Sequence, residues 1–146
     1  MPSNRGILRS FQSLLLLAFV WSIPPGIAEP AATAEERDFK KVSLVQLIAN
    51  PEKYDGQYVT VRGVAYFDSK YYINAIYLTR NDKRGANSPS AVFLYFAPSI
   101  RQADHLNDQF VFVRGKFQAN AKGHLQAFSS SLVDVDLVRA VKVRIK

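Results

Sequence analysis

QYVTVRG at residues 57–63 returns as QFVFVRG at residues 109–115. Gln, two Val, Arg and Gly recur in register, and Phe110 answers Tyr58. Side chains alternate sides along a strand. Val59 and Val61 therefore share one face, as do Val111 and Val113. Tyr58, Thr60 and Arg62 lie opposite, matched by Phe110, Phe112 and Arg114. Two Val-rich faces suit one core. Gly63 and Gly115 end the two phrases, where a strand can bend or bulge. Outside the phrase the two halves share little, so equivalent strands of one barrel explain the repeat better than two copies of a site.

Working outward, SLVQLIAN at 43–50 reads as a short helix. Ser43 caps it, Gln46 completes a capping box, and Val42 with Leu47 forms a hydrophobic staple. Leu44, Leu47 and Ile48 make its buried stripe, and Pro51 stops it at Asn50. Asp55-Gly56 then signals a turn. Residues 57–67 and 71–79 read as strands joined by a turn near Asp68-Ser69-Lys70. Residues 80–90 (RNDKRGANSPS) read as a polar, basic loop. AVFLYFA at 91–97 reads as a strand buried on both faces. Residues 98–106 suit one or two helical turns, with Pro98 in the first. Residues 109–119 follow as a strand, Asn120 to Gly123 turn, and residues 124–137 and 139–145 supply the last strand or two. In the tail Val141, Val143 and Ile145 alternate with Lys142, Arg144 and Lys146, the pattern of a strand with one basic face. Three strands, a short helix and two strands is the order of an OB-fold, a five-stranded partly open Greek-key barrel. The fold expected for residues 42–146 is mainly β: a five- to six-stranded OB-like Greek-key barrel. It carries a short N-terminal helix and a short helix between its third and fourth strands.

The opening of this domain resembles that of small exported bacterial proteins with an OB-like fold, a largely uncharacterised group. The pattern is carried by Ser43, Leu44, Leu47, Asn50, Pro51, Tyr54, Gly56, Val59, Val61 and Gly63, and later by Val111, Val113, Gly115 and Phe117. It covers roughly residues 42–138 and consists of packing and turn residues. The resemblance implies fold and export, and carries over no catalytic residue.

The amino terminus points the same way. Arg5 and Arg9 precede an apolar run from Leu14 to Ile23, followed by Pro24-Pro25-Gly26 and small residues. That order is the secretory signal-peptide pattern, expected over residues 1–28 with cleavage as late as 34. The run falls short of the roughly 20 residues that span a bilayer, so no stable membrane span is expected after processing. Residues 29–41 read as a flexible lead-in. A periplasmic or secreted location follows. The chain has no Cys, which excludes disulfides and leaves the core alone to hold the domain. Net charge is +7. Removing residues 1–28 takes away two Arg and no acid, leaving a moderate excess that suits solubility or an anionic partner.

Catalysis needs a constellation of reactive groups, and none is apparent. His105 and His124 are the only histidines and lie far apart in sequence. Asp134 and Asp136 share a strand face by spacing, read as solvated while Val133, Val135 and Leu137 point inward. Ser129 to Ser131 lack the glycine-flanked elbow of a nucleophile. No cofactor, metal site or catalytic residue is expected. OB-like barrels bind ligands on the face of strands 2 and 3 and the loops 1–2 and 4–5. The candidate ligand residues there are Tyr66, Lys70, Tyr72, Asn74, Arg80, Lys122 and His124. Asn74 suggests that it and Tyr72 face solvent while Ile73, Ala75 and Tyr77 face in. The expectation is an exported, non-catalytic binding module for an unknown protein or cell-envelope glycan. The alternative is a single-stranded nucleic-acid binder, using stacked aromatics beside basic groups.

Overall fold

A computed structural model of the chain describes residues 37–101 and 103–142. The expected signal peptide, the first part of the lead-in and residues 143–146 of the tail lie outside the described residues. The strands are β1 (Lys40–Lys41), β2 (Tyr58–Asp68), β3 (Ile73–Tyr77), β4 (Ala91–Phe96), β5 (Phe110–Gln118) and β6 (Ser130–Ala140). The two copies of the repeated phrase lie side by side. β2 and β5 run antiparallel with Val61 opposite Val113, Arg62 opposite Phe112 and Val59 opposite Gly115. From β2 the sheet continues through β3 and β4, crosses in parallel to β6, and returns through β5 to β2. The ring is therefore closed, an OB-like barrel of five strands with β1 added beside β2.

Val59, Val61, Val111 and Val113 are all at most 1% exposed and meet Ile76, Leu94, Phe117 and Leu132 in the barrel core. The paired glycines serve different ends. A Cβ on Gly63 would stand 2.9 Å from the Ile76 Cβ and 3.0 Å from the Tyr77 carbonyl oxygen, so the end of β3 lies tight against it. At Gly115 the pairing with β6 slips between Arg114 and Lys116, and a Cβ would meet the Val133 carbonyl oxygen at 2.9 Å. Gly115 thus sits in a bulge. Helix α1 (Leu44–Ala49) carries the expected capping box between Ser43 and Gln46 and buries Leu44 and Leu47 against the barrel.

Several local expectations are corrected. After Asn50 the chain does not pass straight to a turn. Pro51 opens a further helical turn, α2 (Pro51–Tyr54), which buries Tyr54. Residues 80–90 are not a plain loop, since α3 (Arg80–Arg84) is capped by the Thr79 side chain and a 3-10 turn follows at Ser88–Ser90. The helix between β4 and β5 is one 3-10 turn at Asp104–Leu106, and Pro98 lies ahead of it, outside any helix. β6 ends at Ala140, and Val141 and Lys142 belong to no strand. The bulge also changes the phase of β6. Asp134 adopts a positive φ of 51°, Val133 pairs with Lys116 and Leu137 with Arg114. Val133 and Leu137 are therefore only half-buried, and Val135 alone of the three joins the core. On β3 it is Ile76 that enters the barrel, with Asn74 in the same phase. Ala75 and Tyr77 are buried elsewhere, in a second cluster with Val64, Ala91, Phe93 and Phe128 on the outside of the sheet.

A basic-aromatic groove on the outer face

The outward phase of the repeated phrase builds a groove of about 820 Å³ on β2, β5 and β6. Phe112 is its floor. Arg62 on β2 and Arg139 on β6 are its direct cross-strand neighbours. Their guanidinium carbons lie 5.6 Å and 6.0 Å from the Phe112 ring centroid. Stacking of this kind is worth about 0.5–1 kcal/mol at exposed sites, enough to orient two long side chains. Neighbouring strands are about 4.8 Å apart, so the backbones that carry the two arginines stand about 10 Å apart on either side of Phe112. Val42, Leu44, Leu78, Phe110 and Leu137 supply apolar walls, and Lys41 adds a third cation. Among the described residues no Asp or Glu lines the groove. Among the described residues, neither Arg62 nor Arg139 makes an ion pair.

Beside the groove the same face is neutralised. Arg114 grips Asp136 with two bonds of 2.7 and 3.0 Å, and its guanidinium carbon lies 4.5 Å from the Phe39 ring centroid. Phe39 meets Tyr58 edge-on, and Arg37 stacks on Tyr58 at 4.9 Å. Residues 37–41 are fixed to the barrel by these contacts and by pairing with β2. Asp136 therefore answers one of the three outward arginines and leaves the other two open.

The residues expected to bind ligand fall into three groups. Tyr66, Lys70 and Tyr72 gather at the β2–β3 hairpin. Tyr72 is 79% exposed with φ 55°, Lys70 stacks on the exposed Tyr71 at 4.9 Å, and Tyr66 packs on the second cluster with its hydroxyl 3.3 Å from Asp68. Burial and the Asp68 carboxylate hold the Tyr66 hydroxyl above its ordinary pKa. Lys122 and His124 lie on the β5–β6 loop. The Lys122 ammonium donates to the Ser129 carbonyl at 3.1 Å, and His124 is exposed. Gly123 between them rests on Phe93, where a Cβ would come within 2.5 Å of the ring. Phe93 belongs to the cluster that holds Tyr66, so these two groups share one apolar support. Asn74 and Arg80 stand apart. Asn74 is half-buried in the inward phase of β3, and the Arg80 guanidinium donates to the Asp108 carbonyl. The Lys83 ammonium binds the Asp108 carboxylate at 2.5 Å and holds its pKa below the usual carboxylate value. Among the described residues no three of His, Asp and Glu come together as a metal site.

Reasoning from sequence passed over Arg62, Phe112 and Arg139. The outward phase of the repeat contained the signal for the first two. Arg139 needed the knowledge that β6 lies beside β5.

No family model and no curated protein matches the chain. Its fold is similar to that of a DUF3299 family protein from Pseudomonas aeruginosa PAO1, at 14% identity and a TM-score of 0.52, over 73% of this chain and 99% of that one. It is also similar to the telomere capping protein Ten1 from Saccharomyces pombe, at 13% identity and a TM-score of 0.43, over 70% of this chain and 81% of that one. At these identities the likeness is one of fold.

Proposed function

We propose that this chain is a non-catalytic binding module that acts outside the cytoplasm and holds an anionic protein or cell-envelope partner in the groove. The observation that carries the reading is the pair Arg62 and Arg139, fixed on either side of Phe112 with no acid in the lining. All three cations are exposed and no acid among the described lining residues answers them, so the groove presents a positive field to an anionic partner. The basic region and apolar run of residues 5–23 support export. The test uses fluorescent polyglutamate and the purified chain at rising salt. Binding should weaken with salt and fall at least tenfold in the double variant Arg62→Ala, Arg139→Ala. Undiminished binding by that variant would remove the groove from the reading. A processed form in the periplasmic fraction or the medium is the expected sign of export, and a full-length cytoplasmic form counts against it.

A second reading, single-stranded nucleic acid, is favoured by the exposed Tyr71, Tyr72 and Tyr95 with Lys70 on the hairpin side. Aromatic stacking is worth about 1–3 kcal/mol per base. It predicts that oligothymidine binds and that Tyr72→Ala abolishes binding while the arginine variant does not.

A further inference from the structure

We infer that the groove takes an acidic, amphipathic peptide segment of a partner protein, one that alternates carboxylate and apolar side chains. The inference rests on the groove being the binding site. Its lining has two chemistries in close alternation. Arg62 and Arg139 offer planar donors suited to carboxylates. Val45, Leu78 and Leu137 offer aliphatic walls. A purely anionic ligand would use the first and leave the second wet. A glycan's many hydroxyls need a dense set of polar partners, and besides its cations the described lining offers only Ser43 and Thr60. A nucleic-acid strand needs successive rings to stack on, and of the two rings in the lining Phe112 is already taken by Arg62 and Arg139, which leaves Phe110 alone. A peptide with acids at alternate positions satisfies both. In an extended chain successive side chains point to opposite sides, and same-side residues repeat at about 7 Å. Carboxylates two to four residues apart on one side therefore reach the two guanidiniums, while the apolar side chains between them, on the other side, meet the aliphatic walls. Recognition by alternate pockets along an extended segment is a known mode of peptide binding.

The experiment measures fluorescence anisotropy of three labelled peptides against the full chain: GELEFELEG, its apolar-free analogue GESESESEG, and the charge-reversed GKLKFKLKG. Oligothymidine is run alongside. GELEFELEG should bind at least tenfold more tightly than either other peptide and than the oligonucleotide. In Arg62→Glu, Arg139→Glu the preference should invert toward GKLKFKLKG. Both arginines are exposed, and an unchanged melting temperature of the variant confirms that the fold is intact. Equal binding of GESESESEG would overturn the amphipathic peptide and leave the basic groove standing. Tighter binding of oligothymidine, lost in the same variant, would likewise replace the peptide and keep the groove. Acidic ligands that bind the reversed variant as well as the wild type would overturn both readings.

Discussion

Gly63→Ala tests the barrel at a point where β3 lies tight against β2. The new methyl carbon would stand 2.9 Å from the Ile76 Cβ, 3.0 Å from the Tyr77 carbonyl oxygen and 3.3 Å from the Leu44 Cδ2. Optimal carbon–carbon contact is about 3.5–4.0 Å. Leu44 can adjust its rotamer, but a Cβ and a carbonyl oxygen move only with the backbone of β3. Overpacking of this kind costs about 1–3 kcal/mol. For a domain of this size that lowers the melting temperature by about 4–15 °C. The assay is thermal unfolding followed by circular dichroism, with Gly85→Ala as control. Gly85 lies at an ordinary φ of −82°, and a Cβ there meets nothing closer than 3.4 Å. That change should be neutral or raise stability by up to about 1 kcal/mol, through a less disordered unfolded chain. A Gly63→Ala protein that melts at the wild-type temperature would show that β3 does not lie tight against Gly63 as described.

Three further outcomes are expected. Val111→Ala removes two methyl groups from a fully buried site and should cost about 1–3 kcal/mol in urea unfolding, whereas no loss would put Val111 on the wrong face. Ser43→Ala deletes the hydroxyl that accepts from the Gln46 amide at 3.2 Å and should cost about 1 kcal/mol, with faster amide exchange confined to the first turn of α1. Asp108→Asn should destabilise the protein at neutral pH. The Asp108 pKa is lowered in the fold from 3.8, chiefly by its bond to Lys83. The carboxylate's contribution is therefore present above pH 3.8 and lost as pH falls through the lower folded value. The gap between wild type and variant should close in acid, and a gap that persists unchanged at pH 2 would contradict the Lys83 pairing.

What could be read in the chain depended on how local its cause was. The capping box of Ser43 and Gln46 is set within four residues, and it forms as read. The valine phase of β2 and β5 follows from alternation alone. α3 was missed because RNDKR has no apolar stripe, and its cap is a single Thr79 whose hydroxyl accepts from the Asp82 amide. The orientation of β3 was missed because Ile76 and the Ala75–Tyr77 face are both buried, one in the barrel and the other under Phe128. Alternation cannot choose between two dry sides. The phase of β6 was lost at the bulge beside Gly115, which shifts Leu137 outward into the groove. The groove itself joins strands that are distant in sequence, so no local pattern contains it.

The closure of the barrel sets an order of events for a chain made from its amino terminus. Val61 meets Val113, 52 positions later, and β6 must arrive before either β4 or β5 has its second partner. Contacts of such long separation make folding slow, because loop entropy is spent before the contacts form. Until residues 130–140 have been made, no ring exists to enclose the valine core. Until then the strands made earlier expose the apolar faces that the closed barrel buries, a state open to association with other extended chains.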